Sequence, residues 1–556
     1  MLFAGVLIVL HASLLRLPYY WDEAGYYIPA ARDLLAGSLI PRSTPSNAHP
    51  PLVMAWLALC WKIFGESPLV TRCAMLLLAA FSLLGFFRLA RTVSNNAVAI
   101  SSTLLVAIYP VFFAQSSLAQ IDLPSAGFIF WGLDYFFRAK MEVVGARTSS
   151  PVMPGEFVGA RASSPMQTRA SGVLQPPSPA HIWFAAGFFA LASLTKETAI
   201  LVPLTLMGAQ IARRFSNQPH KQCHSEATAE RRARNLLFTW ETTLPLALSA
   251  LPLALWYSYH YLRTGRVFGN PEFFRYNVQG TLHPLRIVLA LLLRTWQAFG
   301  YLDLYVLTLA CIAAMFFRPI KDAHGERPRI SLPIQYDFLA IILIYLVALS
   351  IIGGAVLARY MLPVVPLVIL VCVSTVWRRL PAWKAVLALI ALAFVSALFV
   401  NPPYGFAPED NLAYRDYIRL HQGAEIFLAQ RYPNARVLTA WPASDELTRP
   451  YLGYVRKPIQ VVRIDDFSAE QLLSAADARS RFDIALVFST KYQPHTIFDR
   501  WRLWQEWKMR YFDSHVDLPP EAASSVLGGD VVYVQHIRGQ WVGIIELERI
   551  EEARLH

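Results

Sequence analysis

The sequence predicts a mainly α-helical, polytopic membrane protein with about eleven transmembrane helices and a C-terminal soluble α/β domain. Apolar residues make up 55% of the 556-residue chain and charged residues 16%, whereas soluble proteins carry about 25% charged residues. Most apolar runs approach the ~20 residues that a helix needs to cross hydrocarbon. After residue 400 the composition becomes that of a soluble protein. A soluble enzyme, a secreted disulfide scaffold and a disordered chain are therefore excluded.

The predicted spans follow the apolar runs of the transmembrane part, residues 1–400. They lie at about 1–17, 68–87, 96–114, 123–139, 182–194, 198–212, 239–259, 301–317, 336–356, 360–376 and 384–400. Residues 285–299 are also apolar, and we expect a helix packed against the membrane edge. Residues 141–180 are rich in Pro, Ser, Gly and Ala and contain an imperfect duplication, which predicts a flexible cytoplasmic loop.

Basic residues predict which side of the membrane each connector occupies. Alternate connectors together carry twenty Lys and Arg residues, and such an excess is typical of the cytoplasmic side. The connectors with Asp22, Asp122 and Lys196, and the whole tail 401–556, then lie on the extracytoplasmic face of an inner (plasma) membrane. The net charge of +12 is thus explained by topology, and we expect no nucleic-acid partner.

The tail alternates helical and strand-like patterns. A helical stretch at about 411–431 precedes strand candidates at 436–441, 459–464, 483–488, 530–536 and 541–547. Alternation of this kind is typical of a small α/β layer structure. The tail contains no cysteine, so no disulfide framework holds it together.

The first predicted outer loop carries an acidic pair within an aromatic segment. Residues 19–27 read Tyr-Tyr-Trp-Asp-Glu-Ala-Gly-Tyr-Tyr, and residues 49–52 read His-Pro-Pro-Leu. Carboxylates beside a membrane must each be solvated, paired or neutralised. Adjacent helical residues do not face each other, so we expect one of Asp22 and Glu23 to approach a substrate while the other holds the loop. The alternative is a helix N-cap at Asp22.

A second outer acid and further segments complete an ordered set. They are Asp122, Ser-Leu-Thr-Lys-Glu at 193–197, Ala-Arg-Tyr-Met-Leu-Pro at 358–363, and the extracytoplasmic tail. Together with the first loop, this set resembles the GT-C membrane glycosyltransferases that use polyprenyl-phosphate sugars, of the protein O-mannosyltransferase and aminoarabinose transferase type. The resemblance covers roughly residues 18–370.

The resemblance implies an integral membrane enzyme that moves a sugar from a polyprenyl-phosphate carrier to an acceptor hydroxyl on a lipid, glycan or protein. It assigns the base that deprotonates or orients this hydroxyl to Asp22, in a single displacement that inverts the anomeric centre. Glu23 and Asp122 are the other catalytic candidates. Glu23 would alternatively orient the loop or pair with an Arg such as Arg32, and Asp122 would shape the acceptor site or cap the fourth span.

A polyprenyl phosphate is a good leaving group, so such a site needs positive charge more than a strong acid. The substrate-binding candidates are His49, Lys196, Arg359 and Tyr360. His49 stands where related enzymes often have a lysine, and a hydrogen-bonded structural role is its alternative. For Lys196 the alternative is an ion pair with Glu197, and for Arg359 it is extension to the membrane interface.

No metal site or other cofactor is predicted. His11, His49, His260 and His283 show no ligand spacing, and a divalent cation, which some members of the wider fold use, is not favoured. Two other classes of function stay open. One is a transporter or lipid flippase, although the two halves show no internal repeat. The other is a catalytically silent relative that acts as a binding subunit through its tail.

Overall fold

The computed structural model describes residues 2–148, 180–216, 241–323, 325–494, 496, 500–512 and 514–548. The described helices before residue 400 are α1 (Leu2–Leu10), α2 (Ile28–Leu35), α3 (Leu52–Phe64), α4 (Pro68–Val93), α5 (Asn96–Ile108), α6 (Pro110–Gln115), α7 (Asp122–Thr148), α8 (Ala180–Thr195), α9 (Leu201–Ser216), α10 (241–248), α11 (Leu251–Thr264), α12 (Pro271–Asn277), α13 (Pro284–Phe299), α14 (Leu304–Met315), α15 (Leu332–Ile351), α16 (Val365–Arg379) and α17 (Trp383–Phe399). The mainly helical architecture is therefore confirmed.

Within the described ranges, α4 and α15 are each long and apolar enough to cross a bilayer. α13 and α14 pass the same test as a pair, although their axes meet at 76°. Helices α3, α5, α8 and α17 are apolar but shorter than 18 residues. The number of eleven spans accordingly stays a prediction.

The predicted span 96–114 is interrupted in the structure, and the separate helices predicted at 285–299 and 301–317 meet at a bend. The run 96–114 is divided between α5 and α6, because Pro110 starts a new helix and Tyr109 before it has an extended ψ of 127°. The run through 285–317 bends between α13 and α14, where Leu302 and Asp303 have positive φ values of 47° and 66°. An apolar run indicates that a segment is buried or lies in lipid. It does not locate helix breaks, because these depend on the dihedral angles of individual residues.

Two further boundaries also differ from the prediction. The first helix ends at Leu10 rather than near residue 17. Helix α7 continues to Thr148, so the predicted loop 141–180 is wrong over its first eight residues. The remainder of that predicted loop, 149–179, lies outside the described residues.

One end of the helical part gathers basic residues from different connectors. Arg88 contacts Asp134 on α7 at 3.2 Å, and Lys140 contacts Asp337 on α15 at 2.7 Å. Arg213, at the end of α9, binds the same Asp337. These three cations belong to connectors that were predicted to share one side, so the fold agrees with the charge pattern at this end.

After Phe399 the chain forms a mixed five-stranded sheet with helices. The elements are α18 (Ala413–Arg431), β3 (Arg436–Ala440), α19 (Ala443–Thr448), β4 (Gln460–Ile464), α20 (Ala469–Ala476), β5 (Ile484–Phe488), α21 (Arg502–Phe512), α22 (Pro520–Leu527), β6 (Gly529–Ile537) and β7 (Gln540–Leu547). A separate hairpin, whose strands β1 (Lys321–Asp322) and β2 (Gly325–Glu326) have two residues each, precedes α15. The strand order is β4-β3-β5-β7-β6. Strands β4, β3 and β5 are parallel, and β7 and β6 are antiparallel.

The tail packs directly on the loop that carries Asp22. The rings of Trp21 and Trp441 meet edge to face with centroids 4.9 Å apart, and Tyr20 meets Tyr417 of α18 in the same way at 5.3 Å. A Cβ atom on Gly25 would lie 2.7 Å from the Trp441 ring, so no larger residue fits there without movement. The position of this loop therefore depends on both parts of the chain.

Candidate functional site

Asp22 stands immediately before a π-helical turn, Glu23–Tyr27. The turn is anchored by Glu23, which is fully buried and pairs with Arg72 of α4, with one contact at 2.9 Å. Glu23 also accepts hydrogen bonds from the backbone N–H groups of Tyr20 and Ala119, at 2.8 and 2.5 Å. With both oxygens occupied, Glu23 fits the role of the residue that holds the loop.

Glu23 pairs with an arginine, as one alternative predicted, but the arginine named as the example, Arg32, is not its partner. Arg32 pairs with Glu66 at 2.9 Å on the surface, and Glu23 pairs with Arg72. Arg72 lies in the second turn of the apolar helix α4, far from Glu23 in the sequence. Its guanidinium also donates to the Pro18 carbonyl at 2.8 Å, so it ties the start of the loop to α4.

Arg359 is the centre of the site. It lies in a short 3-10 turn, Ala358–Met361, before α16. Its Nη2 donates to Asp22 at 2.5 Å and its Nη1 to Glu409 at 2.6 Å, while its Nε lies 3.2 Å from Asp122. The first outer loop, the start of α7 and the beginning of the tail thus converge on one buried guanidinium.

The three carboxylates differ in exposure. The side chain of Asp22 is 32% exposed, whereas those of Asp122 and Glu409 are 2% and 4% exposed. Since Arg359 is itself buried, the two buried carboxylates hold the guanidinium in place, and the guanidinium orients Asp22. Asp22 is the member of this cluster that an incoming molecule can reach.

Lys196 and Tyr360 form a second part of the cluster. Lys196 is buried and binds Asp122, and its Nζ lies 3.6 Å from the centre of the Tyr360 ring. The guanidinium carbons of Arg359 and Arg294 lie 5.5 and 5.3 Å from the same ring. Three cations therefore lie within 6 Å of one aromatic ring, whose attraction partly offsets their mutual repulsion.

His49 and Glu197 contact each other rather than the central cluster. Their Nδ1 and Oε2 atoms are 3.3 Å apart, so His49 has the hydrogen-bonded position that was its alternative. Burial raises the pKa of Glu197, but His49 and Lys196 outweigh it and lower the pKa to about 2. The alternative ion pair of Lys196 with Glu197 does not form, because the ammonium group binds Asp122 instead.

Acidic residues at the start of the tail complete the site. Glu409 also accepts from Gln120 at 3.0 Å, and Asp410 accepts from the Tyr301 hydroxyl at 2.6 Å. Burial raises the pKa of Glu409 to about 6 against the opposing effect of Arg359. Burial together with Glu409 raises the pKa of Asp410 to about 8. Both carboxyl groups therefore hold a proton more readily than an ordinary carboxyl, and Asp410 does so more than Glu409.

Two buried arginines on α13 have only neutral partners among the described residues. Arg294 donates to the carbonyls of Leu357 and Ala355 at 2.7 and 3.1 Å, and to the Gln297 side chain at 3.1 Å. Arg286 donates to the Gly353 carbonyl at 2.7 Å, and to that of the next glycine. Each arginine keeps a buried nitrogen without a hydrogen-bond partner in the described part of the chain. Buried charge of this kind is costly without an anion.

Sequence reasoning missed Glu409, Arg286 and Arg294. Glu409 and Asp410 follow the last apolar run by a few residues, and this second acidic pair was assigned to the tail without a role. The two arginines stand in an apolar helix assigned to the membrane edge. Ionisable residues inside an apolar segment are by default candidates for function. Their occurrence in this helix is therefore the sequence signal that points to the two arginines.

A comparison with protein families gives one match. The family model described as dolichyl-phosphate-mannose-protein mannosyltransferase matches residues 48–142, which extend from the His49 segment through Asp122 into α7. Comparison with curated protein sequences gives no significant match.

The solved structures give broader matches. ArnT from Cupriavidus metallidurans bound to undecaprenyl phosphate is 14% identical, with a TM-score of 0.50 and coverage of 98% of this chain and 97% of that chain. Its apo state matches with the same values. The apo oligosaccharyltransferase of Archaeoglobus fulgidus is 12% identical over 87% of this chain and 69% of that one, with a TM-score of 0.44. The chain therefore has the GT-C fold of the ArnT and protein mannosyltransferase type, and the resemblance found in its motifs is confirmed.

Proposed function

We propose that this protein is a membrane glycosyltransferase that moves a sugar from a polyprenyl-phosphate carrier to an acceptor hydroxyl. The observation that carries the proposal is that a partly exposed carboxylate, Asp22, lies in one cluster with a buried arginine, Arg294, that has no carboxylate partner among the described residues. The first suits a hydroxyl acceptor and the second suits a phosphate. ArnT, which has the same fold, binds undecaprenyl phosphate.

Asp22 acts on the acceptor side of the reaction. One of its oxygens is bound by Arg359, and the exposed carboxylate accepts the proton of the attacking hydroxyl or orients that hydroxyl. The new bond joins the acceptor oxygen to the anomeric carbon, and the bond from that carbon to the phosphate oxygen breaks. The electron pair leaves with the polyprenyl phosphate, and a single displacement inverts the anomeric centre.

Lys196 and Arg294 hold the phosphate on the donor side. The Lys196 Nζ atom and the Arg294 guanidinium carbon lie 3.6 and 5.3 Å from the centre of the Tyr360 ring. Arg294 lacks a carboxylate partner in the described part of the chain. A phosphate there would receive charge-assisted hydrogen bonds and would compensate the buried charge. His49 lies beside this region through Glu197 and has a supporting role in the proposal.

Arg359 has a positioning role in this scheme. Direct phosphate contact was its expected task, but its three nitrogens face three carboxylates. Three carboxylates already compensate the charge of Arg359 and would repel a phosphate, whereas Lys196 has one such partner and Arg294 has none among the described residues. We therefore assign to Arg359 the orientation of Asp22, and to Asp122 the orientation of Lys196 and Arg359.

The proposed topology follows the charge pattern. Eleven spans would place the cluster and the tail on the extracytoplasmic face of the inner membrane, where a lipid-linked donor presents its sugar. The basic residues that contact Asp134 and Asp337 would then face the cytoplasm. The acceptor, a lipid, a glycan or a protein, would enter from the side of the tail.

The test uses purified protein in liposomes with a panel of radiolabelled polyprenyl-phosphate sugars and a membrane extract as the acceptor source. We expect release of polyprenyl phosphate and transfer of label to a larger product. A matched reaction without extract controls for hydrolysis. Uptake of solute into the vesicles, or donor binding without turnover across the panel, would contradict the proposal and would favour a transporter or a silent binding subunit.

A further inference from the structure

A second group of buried ionisable residues lies in the tail, outside the site described above. His421 and Glu425 are one turn apart on α18, and Glu446 lies on α19. All three are at most 1% exposed, and one potential ligand atom from each lies within 4.8 Å of the others. Two carboxylates and one imidazole thus share a space that water hardly reaches.

The polar atoms of this group are largely unpartnered. The His421 Nδ1 atom lies 2.6 Å from Glu446 and 3.9 Å from Glu425. In the described part of the chain, both oxygens of Glu425, the second oxygen of Glu446 and the Nε2 atom of His421 have no hydrogen-bond partner. Buried polar atoms are normally satisfied, so the unpartnered carboxylate oxygens require either a proton shared by Glu425 and Glu446 or a bound cation at this place, and the test below separates the two.

We propose that His421, Glu425 and Glu446 bind one divalent transition-metal ion, with Zn²⁺ as the reference ion. A neutral imidazole and two carboxylates together balance the charge of a divalent cation, so the buried centre becomes neutral. Imidazole nitrogen and carboxylate oxygen are ordinary zinc ligands at about 2.0 to 2.2 Å. Tetrahedral ligands at such bond lengths are about 3.3 Å apart, so Nδ1 and the Glu446 oxygen need to separate by less than ~1 Å.

The position of the centre suggests that it is structural. It would join α18 to α19, and both elements support the loop of Asp22. The ring of Tyr417, one turn before His421, stacks on the imidazole at 4.0 Å and meets Tyr20 at 5.3 Å. Trp441, just before α19, contacts Trp21. A bound ion would therefore stiffen the surface on which the catalytic loop rests.

The test measures metal content in the full-length protein, purified without metal-affinity chromatography. After treatment with EDTA and reconstitution with Zn²⁺, we expect about one ion per chain by mass spectrometry, and a higher Tm than for the EDTA-treated protein. The Glu425→Gln variant should bind at least about tenfold less metal, and Zn²⁺ should no longer raise its Tm. Glu470→Gln, an exposed change on α20, should behave like the unchanged protein.

Two outcomes would overturn the proposal. One is the absence of bound Zn²⁺ in the unchanged protein, which requires no variant to fold. The other is a Glu425→Gln variant that binds as much Zn²⁺ as the unchanged protein, as expected if Glu425 is simply a protonated acid. The Asp22→Asn variant should keep its ion, and loss of the ion there would place the metal in the other cluster.

Discussion

Asp22 differs from the other carboxylates around Arg359 because it faces outward while they are enclosed. Asp122 and Glu409 satisfy the guanidinium from within, and each would be costly to leave unpaired. Asp22 contributes one oxygen to the same guanidinium and keeps an accessible oxygen for another partner. The chemical reactivity of the site therefore rests on one residue, and its geometry rests on the buried neighbours.

Asp410 gives this site a dependence on pH. Burial raises its pKa to about 8, so the folded protein keeps a proton that the unfolded chain loses near pH 4. The free energy of unfolding then falls as pH rises towards 8, by at most about 1.4 kcal/mol per pH unit. We expect Tm to fall between about pH 5 and pH 8, to level off above pH 8, and to fall less in Asp410→Asn. Equal slopes in the two proteins would show that Asp410 does not titrate in this range.

Glu23 provides a test of the loop-holding role. Replacement by Gln leaves Arg72 buried beside a neutral partner, a situation that costs about 3 to 5 kcal/mol. We expect Glu23→Gln to lower Tm strongly, whereas Glu66→Gln, which removes the exposed partner of Arg32, should change stability by about 1 kcal/mol or less. Thermal unfolding in detergent measures both. Equal effects would refute the assignment of Glu23 to the loop.

For single residues, the sequence predicted which side chains belong to the site better than it predicted which side chains each of them contacts. Asp22, Asp122, Lys196 and Arg359 were predicted on one side, and they are in contact. The partner of Glu23 was missed because pairing depends on which helix passes behind the loop. The contribution of Glu409 was missed for a similar reason, since it joins the cluster from a segment about 50 residues beyond Arg359.

The element on which the proposed phosphate binding depends most is α13, together with the loop that follows α15. The loop curves back so that carbonyls of Gly353 and Leu357 accept from Arg286 and Arg294. Carbonyl groups stabilise the guanidinium groups without neutralising them. Helix α13 consequently places the charge of Arg294 beside Tyr360 and that of Arg286 about two helical turns away.

Replacement of Arg294 by Met tests this delivery of charge. Met keeps an apolar stem of similar length, so we expect the fold to be retained and the KM for the lipid-linked donor to rise at least about tenfold, as expected when a charged hydrogen bond of ~1.5 kcal/mol or more is lost. Steady-state kinetics measure this change. Arg263→Met, an exposed change on α11, serves as the matched control. An unchanged KM in Arg294→Met would exclude phosphate binding at this position.

Helix boundaries illustrate what apolar runs cannot specify. The break at Pro110 has a sequence signal, because proline disfavours helical dihedrals in the residue before it. The bend between α13 and α14 depends on positive φ values at Leu302 and Asp303, which neither residue type announces. Separate helices were predicted at 285–299 and 301–317, close to α13 and α14, but hydropathy averages over such positions and does not predict the bend of 76° between them.

On the scale of the whole molecule, the tail and the helical part form the site together. The tail supplies Glu409 and supports the first loop through Trp441 and Tyr417. The division into residues 1–400 and 401–556 follows composition, but the candidate site lies across that boundary. Composition and periodicity predicted a helical membrane protein with an α/β tail, because both patterns are averages over many residues of a segment. Contacts between the two parts depend on individual side chains, which averages do not describe.

The contact of Gly25 with Trp441 tests this coupling. A methyl group at Gly25 would approach the indole to 2.7 Å, so Gly25→Ala should displace the loop and lower kcat at least about tenfold. Adding Trp441→Phe, which makes room, should restore part of the activity. Gly208→Ala, where nothing lies within 4 Å of the added atom, is the control. A double variant that is no more active than Gly25→Ala would contradict the steric explanation.

The most direct test of the central claim compares turnover and donor binding in Asp22→Asn. Arg359 keeps Glu409 and Asp122 in this variant, so the fold and the affinity for the lipid-linked donor should be retained. We predict that kcat for sugar transfer falls at least about 100-fold, with Asp465→Asn, an exposed change, as the unaffected control. Transfer at the normal rate by Asp22→Asn, with the donor bound as before, would contradict the account.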